Sequence, residues 1–371
     1  MPSASSTRSA FDTALLGVRG LILVVAAVLV LAFPRMAPDA FILSVGVVIA
    51  SYAALAVGWN FVGGFTGYIS LGHAAYSGLG GYGTALLIID AGWNPWLALV
   101  GAAVAVALIA VPIGVASLRV RGASFVIVSI SLVLILLLVS QSWSGLTGGS
   151  NGLRVPRPFA DDVLRPEQHE RFFYLNVALV VVALAVWWAI DRSRFGTGLK
   201  AIREDEDKAQ ALGVPTFAYK LAVFVISAFF TAMAGGLYAL WFGSLDPIFQ
   251  FSILIGSYMV LMSLLGGIRS LFGPVVGAVI VGYSLEYFKA QYGDTQFHLV
   301  ALGLLLALVV LFMPDGVLPA LGSLVDRLRP DRATSIREMT AAELLEHNRA
   351  IEKDSGTDGA AEDRETEEVV R

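Results

Sequence analysis

Between residues 15 and 313 the chain runs as a series of apolar stretches separated by polar breaks. Each stretch is roughly 17–25 residues long, the length at which an α-helix crosses about 30 Å of hydrocarbon. The stretches are continuous rather than alternating, which argues against a transmembrane β-barrel. The pattern predicts an all-α, polytopic helical membrane protein of about ten transmembrane helices. The expected spans are 15–33, 40–58, 66–89, 96–118, 123–141, 172–190, 220–242, 251–268, 271–289 and 298–313. Two longer polar connections, 142–171 and 191–219, interrupt the series.

Composition agrees with the pattern. The chain is 57% hydrophobic and only 15% charged, against about a quarter charged in soluble domains. Its net charge of −4 belongs to the tail 326–371, where acidic residues outnumber basic ones. The membrane region 15–325 is close to neutral. The tail is expected to hold one helix, with Thr340 and Glu343 as a capping box, and otherwise to be compositionally disordered. Cysteine is absent, so disulfides and thiolate metal sites are excluded. The first apolar run follows Arg8 and Arg19. No small-x-small cleavage site comes after it, and it is expected to be a retained anchor.

Basic residues near the spans set the orientation. If 191–219 is cytoplasmic, then Arg8, Arg19, Arg119, Arg121, Arg269, Arg327, Arg329 and Arg332 all fall inside. Both termini, including the segment 1–14, are then cytoplasmic. Asp90, Trp93, Trp96 and Asp246 fall outside. The extracytoplasmic loop 142–171 places four arginines outside as well, mixed with four carboxylates, and is expected to fold as a small cap.

No catalytic constellation is visible, and His73, His169, His298 and His347 are scattered. A phosphate-binding G-x-x-x-x-G-K-[ST] loop is missing, so this chain is not expected to hydrolyse ATP itself. Loop 191–219 reads as a helix over 197–212, with Arg203/Asp207 and Glu204/Lys208 as opposite charges four apart. Leu199, Ile202, Ala209 and Leu212 lie close to one face. Gly213 is placed to end the helix and Pro215 to prevent its continuation. The loop is either a solvated connector or a short rigid element that transmits force from a soluble partner.

The segment GWNFVGGFTGYISLGHAAYSGLGGYG (58–83) concentrates glycine next to apolar spans. Gly63, Gly64 and Gly67 suggest a non-helical entry, which needs cover at membrane depth. The later glycines suggest a smooth helix for close packing. Tyr68, Ser70, Gly72, His73, Tyr76 and Gly78 are the candidates for the translocation path or for that packing. A second cluster, Gly266, Gly267, Gly273 and Gly277, raises an internal repeat. Thr147, Gly148, Gly149 and Asn151, in TGGSNG, read as a turn or as an extracytoplasmic contact or gate.

Four blocks of the chain resemble LivM-type permease subunits of branched-chain amino acid ABC importers. They are NFVGGFTGYISLGHAAYSGLGGYGTALL (60–87), RVRGASFVIVSISLVLILLLVSQSWSGLTGGSNGL (119–153), FGTGLKAIREDEDKAQALGV (195–214) and SLLGGIRSLFGPVVGAVIV (263–281). The resemblance implies the ABC importer permease fold. It also implies a homologous second permease subunit, two ATP-binding cassette ATPases that use the ATP, and an extracytoplasmic substrate-binding protein. It implies a coupling role for Leu199, Ile202, Arg203, Glu204, Asp207, Ala209, Leu212 and Gly213. DKAQALG (207–213) is similar to the E-A-A-x-x-x-G docking pattern of ABC importers, with Asp207 for Glu and Lys208 for the first Ala.

The expected function is thus a plasma-membrane permease subunit for leucine, isoleucine and valine, with no bound cofactor or metal and no nucleic-acid partner. Import of urea, short amides or other amino acids by the same architecture stays open. A self-contained secondary transporter usually carries intramembrane carboxylates or lysines, and Glu286 is the clearest ionisable residue within a span. A purely structural scaffold would leave the 191–219 loop without a purpose.

Overall fold

The computed structural model describes residues 24–25, 27–37, 39–159 and 165–292, together with 300, 303–304, 307–308, 316–320 and 346. Most of the expected spans 15–33 and 298–313, the segment 1–14 and nearly all of the tail 326–371, its capping box included, lie outside the described residues.

A short apolar helix, α1 (Ala27–Met36), precedes α2 (Ala40–Thr66). There follow α3 (His73–Ile89), α4 (Pro95–Ser117), α5 (Ala123–Ser142) and α6 (Ser144–Thr147). A 3-10 turn (Gly149–Asn151) and strand β1 (Leu153–Arg154) lead to α7 (Arg165–Asp191). The loop helices are α8 (Arg194–Glu204) and α9 (Glu206–Ala211). Then come α10 (Thr216–Phe242), strand β2 (Ser244–Leu245), α11 (Pro247–Gln250), α12 (Ile253–Gly266) and α13 (Gly273–Tyr292).

Among the described residues six helical segments are long and apolar enough to cross a membrane. The count of about ten is not confirmed, since the expected spans 15–33 and 298–313 lie mostly outside those residues. Part of the shortfall is α3, which has 17 residues and so spans about 25 Å at 1.5 Å per residue. The polar connection 142–171 is also shorter than expected, because α5 runs to Ser142 and α7 already begins at Arg165.

Helix ends follow local chemistry. Asp39 accepts from Ile42 N at 2.8 Å, and Asn94 accepts from Trp96 N at 3.0 Å beside Pro95. Such caps satisfy donors that the first turn leaves unpaired. Gly67, with φ 73°, closes α2 in the left-handed region, which costs glycine nothing sterically.

Helix α2 is central, packing against α7, α10, α12 and α13, while α10 also packs against α3 and α4. The α3–α10 crossing accounts for the glycines. A Cβ on Gly80 would fall on the Ala232 carbonyl, and one on Gly235 would fall on the Ser77 carbonyl. The two backbones therefore touch, the form of helix association that small residues permit in lipid. The second glycine cluster behaves alike: Gly266 and Gly277 bring α12 and α13 together backbone to backbone. Helix α5 packs least, and its Ile127, Ile135 and Leu138 are exposed.

Candidate functional site

One end of the bundle gathers the connections 67–72, 118–122, 191–215 and 267–272. Its organising element is the α8–α9 segment. Ser193 caps α8 by accepting from Gly196 N at 3.1 Å. Leu199 is fully buried and Ile202 is 3% exposed; both belong to the cluster that holds α2, α7 and α10 together. The apolar face of α8 is thus spent on the chain's own body.

The expected continuous helix over 197–212 is two helices. Asp205 interrupts it with φ −163° and ψ 108°, and its carboxylate accepts from Lys208 N at 3.0 Å. Asp is a strong N-cap residue, and here the cap outcompetes helix continuation. The Lys208 backbone and side chain together hold the Asp205 carboxyl below its usual range. The break also turns the charges away from the expected pairs four apart. Arg203 instead donates to the Gly64 carbonyl at 2.7 Å and lies 3.4 Å from Glu204. Lys208 pairs with Asp205 at 3.0 Å. Asp207 pairs with Arg121 at 2.8 Å.

The break delivers Glu206 into a buried ionic cluster. Lys220 Nζ lies 2.6 Å from Glu206 Oε1 and donates to the Tyr68 hydroxyl at 3.0 Å, and Tyr68 donates to Glu206 Oε2 at 2.8 Å. Arg121 approaches Glu206 at 3.2 Å. Lys220 and Glu206 expose only 3% and 12% of their side chains. The Lys220–Glu206 pair balances itself, as buried charges require, while Arg121 and Asp207 are 50% and 78% exposed and close the cluster on the solvent side. Asp207 and Glu206 hold the Arg121 guanidinium above its ordinary pKa. Through these contacts α9 is tied to the base of α10, the turn before α5 and the segment after α2.

That last segment is the non-helical entry the glycines suggested, with Gly63 and Gly64 inside α2 and only 67–72 irregular. Part of its polar backbone is satisfied by neighbouring elements. Gly67 N donates to Gly63 O at 3.0 Å, and Leu71 N donates to Ser129 Oγ at 3.1 Å. Ser70 O accepts from Trp59 Nε1 at 2.6 Å. Just beyond, His73 Nδ1 lies 2.9 Å from Ser70 Oγ and Nε2 lies 2.7 Å from Ser227 Oγ, which donates to Gly58 O at 2.6 Å. His73 is a fully buried bridge between α3, α10 and α2. Tyr76 is buried against Phe224. Gly78 faces Phe251, and Gly72 faces the Ser129 backbone. Of the six path candidates, Tyr68 alone joins the ionic cluster.

At the other end of the bundle, TGGSNG is more than a turn. The Thr147 hydroxyl sits 2.5 Å from Ser140 O and 2.7 Å from Trp143 O. Gly148 and Gly149 have positive φ. Asn151 closes the 3-10 turn, leading into β1, which pairs antiparallel with β2 in the register Leu153↔Leu245 and Arg154↔Ser244. A Cβ on Gly152 would strike Leu245 O.

Sequence reasoning missed Glu206, Lys220, Ser129 and Ser227, and used Arg121 only to set the orientation. A lysine at the start of an apolar run, in FAYKLAVF, was the available signal. Leu212 was assigned to the same face as Leu199, yet it is 85% exposed. Gly213, with φ 86°, does end the segment in the left-handed region.

Residues 41–312 match the family model described as "Branched-chain amino acid transport system / permease component". The chain is 29% identical over 322 residues to the high-affinity branched-chain amino acid transport system permease protein LivM of Escherichia coli (strain K12), covering 81% of this chain and 75% of that one. It is 30% identical over 286 residues to the permease protein LivH of the same organism, covering 72% of this chain and 91% of that one. To the permease protein BraD of Pseudomonas aeruginosa it is 32% identical over 149 residues, covering 39% of this chain and 48% of that one.

Proposed function

The chain belongs to the permease component family of branched-chain amino acid transport systems, and from that premise we propose that it is a motorless conduit subunit of an ATP-driven importer for leucine, isoleucine and valine. The observation that carries the coupling half of this reading is the Glu206–Lys220 pair, buried at the joint between α9 and α10. A surface connector has no need of a desolvated ion pair, whereas an element that must hand motion to a membrane helix does.

The α8–α9 segment then divides its labour between two faces. Leu199, Ile202 and Ala209 hold it to the body. Glu206 fixes it to α10, and Arg203 fixes it to the end of α2. The outward surface, made of Asp207, Lys208, Leu212 and Gly213, is the docking face for a separate ATPase. Leu212 supports this, because it is a large apolar side chain left open on a polar loop.

LivM and LivH of one organism both match this chain over most of its length. That supports a homologous second permease as the partner across the path. Two ATPases lie on the α8–α9 side, which is cytoplasmic in this reading. A binding protein delivers amino acid to the opposite side, near the β1–β2 pair.

Reconstitution into liposomes tests the proposal. The chain alone takes up no leucine under ion gradients. Uptake appears when the sister permease, both ATPases, the binding protein and ATP are supplied. Gradient-driven uptake by the chain alone refutes it.

A further inference from the structure

A cleft of about 450 Å³ opens beside the coupling segment, lined by Gly64, Trp187, Trp188, Arg192, Lys200, Arg203 and Arg269 among others. Its charges do not cancel. Lys200 is paired with Asp191 at 2.6 Å, and Arg203 and Arg269 share Glu204 at 3.4 and 3.8 Å. Among the described residues Arg192 has only the Trp188 ring, 4.3 Å from its guanidinium carbon. Four cations thus face two carboxylates. Two of its lining residues, Trp187 and Arg203, also carry buried donors, Nε1 and Nε, with no acceptor among the described residues. Among the described residues they are the only nitrogen atoms in the set of buried, unpaired side-chain polar atoms. Trp187 is 7% exposed and fixed by stacking on Phe65 at 4.8 Å. Excess positive charge and donors without acceptors call for one chemistry, an anionic group rich in acceptor oxygens.

The position says where that group comes from. The cleft sits at the end of α7, whose Val181, Val182 and Trp188 are exposed on the apolar length of the helix. Tryptophans at such a level mark the membrane interface, and basic pockets between membrane helices at that depth suit phospholipid headgroups. We propose that this cleft is a phosphate-group site occupied by the headgroup of an anionic phospholipid, which fastens α7 and α8 to the bilayer surface. The inference rests on the membrane reading of the chain and not on its transport activity.

Native mass spectrometry of the full chain in nonionic detergent tests it, with phosphatidylglycerol, phosphatidylcholine and inorganic phosphate as separate probes. The expected result is selective retention of phosphatidylglycerol, not displaced by phosphate. At about fivefold per basic residue near the surface, Arg192→Gln with Arg269→Gln weakens retention about 30-fold. Trp187→Phe weakens it with the ring kept in place, and Arg194→Gln, outside the cleft, leaves it unchanged. Equal retention of the two lipids, undiminished retention in the double variant, or uptake of phosphate in preference to lipid overturns the proposal.

Discussion

Lys220 and Glu206 meet at 2.6 Å although one lies near the start of a membrane helix and the other begins a short loop helix. Removing one member of a buried pair leaves the other charge uncompensated and costs about 3–5 kcal/mol. Lys220→Met is therefore expected to lower the thermal midpoint in detergent sharply. Lys220→Met combined with Glu206→Gln recovers much of that stability but not ATP-driven uptake. Recovery of uptake in the double variant counts against the pair as the coupling joint.

Leu199 and Leu212 separate holding from docking. Leu199→Asp places an unpaired carboxylate in a closed core, at a cost of several kcal/mol, and is expected to abolish folded yield rather than to uncouple the transporter. Leu212→Asp leaves the melting temperature unchanged and reduces uptake in the assembled system. Fluorescence-detected gel filtration and leucine uptake distinguish the two. A normally transporting Leu212→Asp variant removes the docking face.

The α3–α10 contact is sensitive to one carbon. Gly80→Ala and Gly235→Ala each push a Cβ into a facing carbonyl, and overpacking of this kind costs about 1–3 kcal/mol. Gly145→Ala, with open space around it and no positive φ, is expected to be neutral. Thermal midpoints of the three variants check the ranking.

Orientation is measurable because the chain has no cysteine. Leu212→Cys is expected to react with a membrane-impermeant maleimide only after lysis, and Asn151→Cys to react in intact cells. The reverse pattern places the coupling segment outside and ends the import scheme.

The long helices were legible because burial in lipid demands continuous apolar length. The expected span 40–58 became Ala40–Thr66, and 220–242 became Thr216–Phe242. The loop was half legible. Its terminator Gly213 and the inward residues Leu199, Ile202 and Ala209 were read from period and glycine chemistry. The break at Asp205 was not, because the pattern of charges four apart pointed to one helix while the capping strength of Asp was overlooked. The ionic cluster draws on residues 68, 121, 206 and 220, and no local pattern announces a contact between positions so far apart. His73 stood as a candidate for the path or for close packing, and the structure gives it two serine partners.

Helix α10 is an unbroken rod of 27 residues, about 40 Å from end to end. Near one end it carries Lys220, and immediately past the other it joins the two-residue ladder to Leu153 and Arg154. At Gly80 and Gly235 it is seated on α3 backbone to backbone. A tilt imposed at the lysine would pivot on that glycine seat and reappear, reversed in sense, at the ladder. If the rod tilts as a rigid body, that seat is its fulcrum, and the movement at the far rim follows from where along the rod the glycines fall.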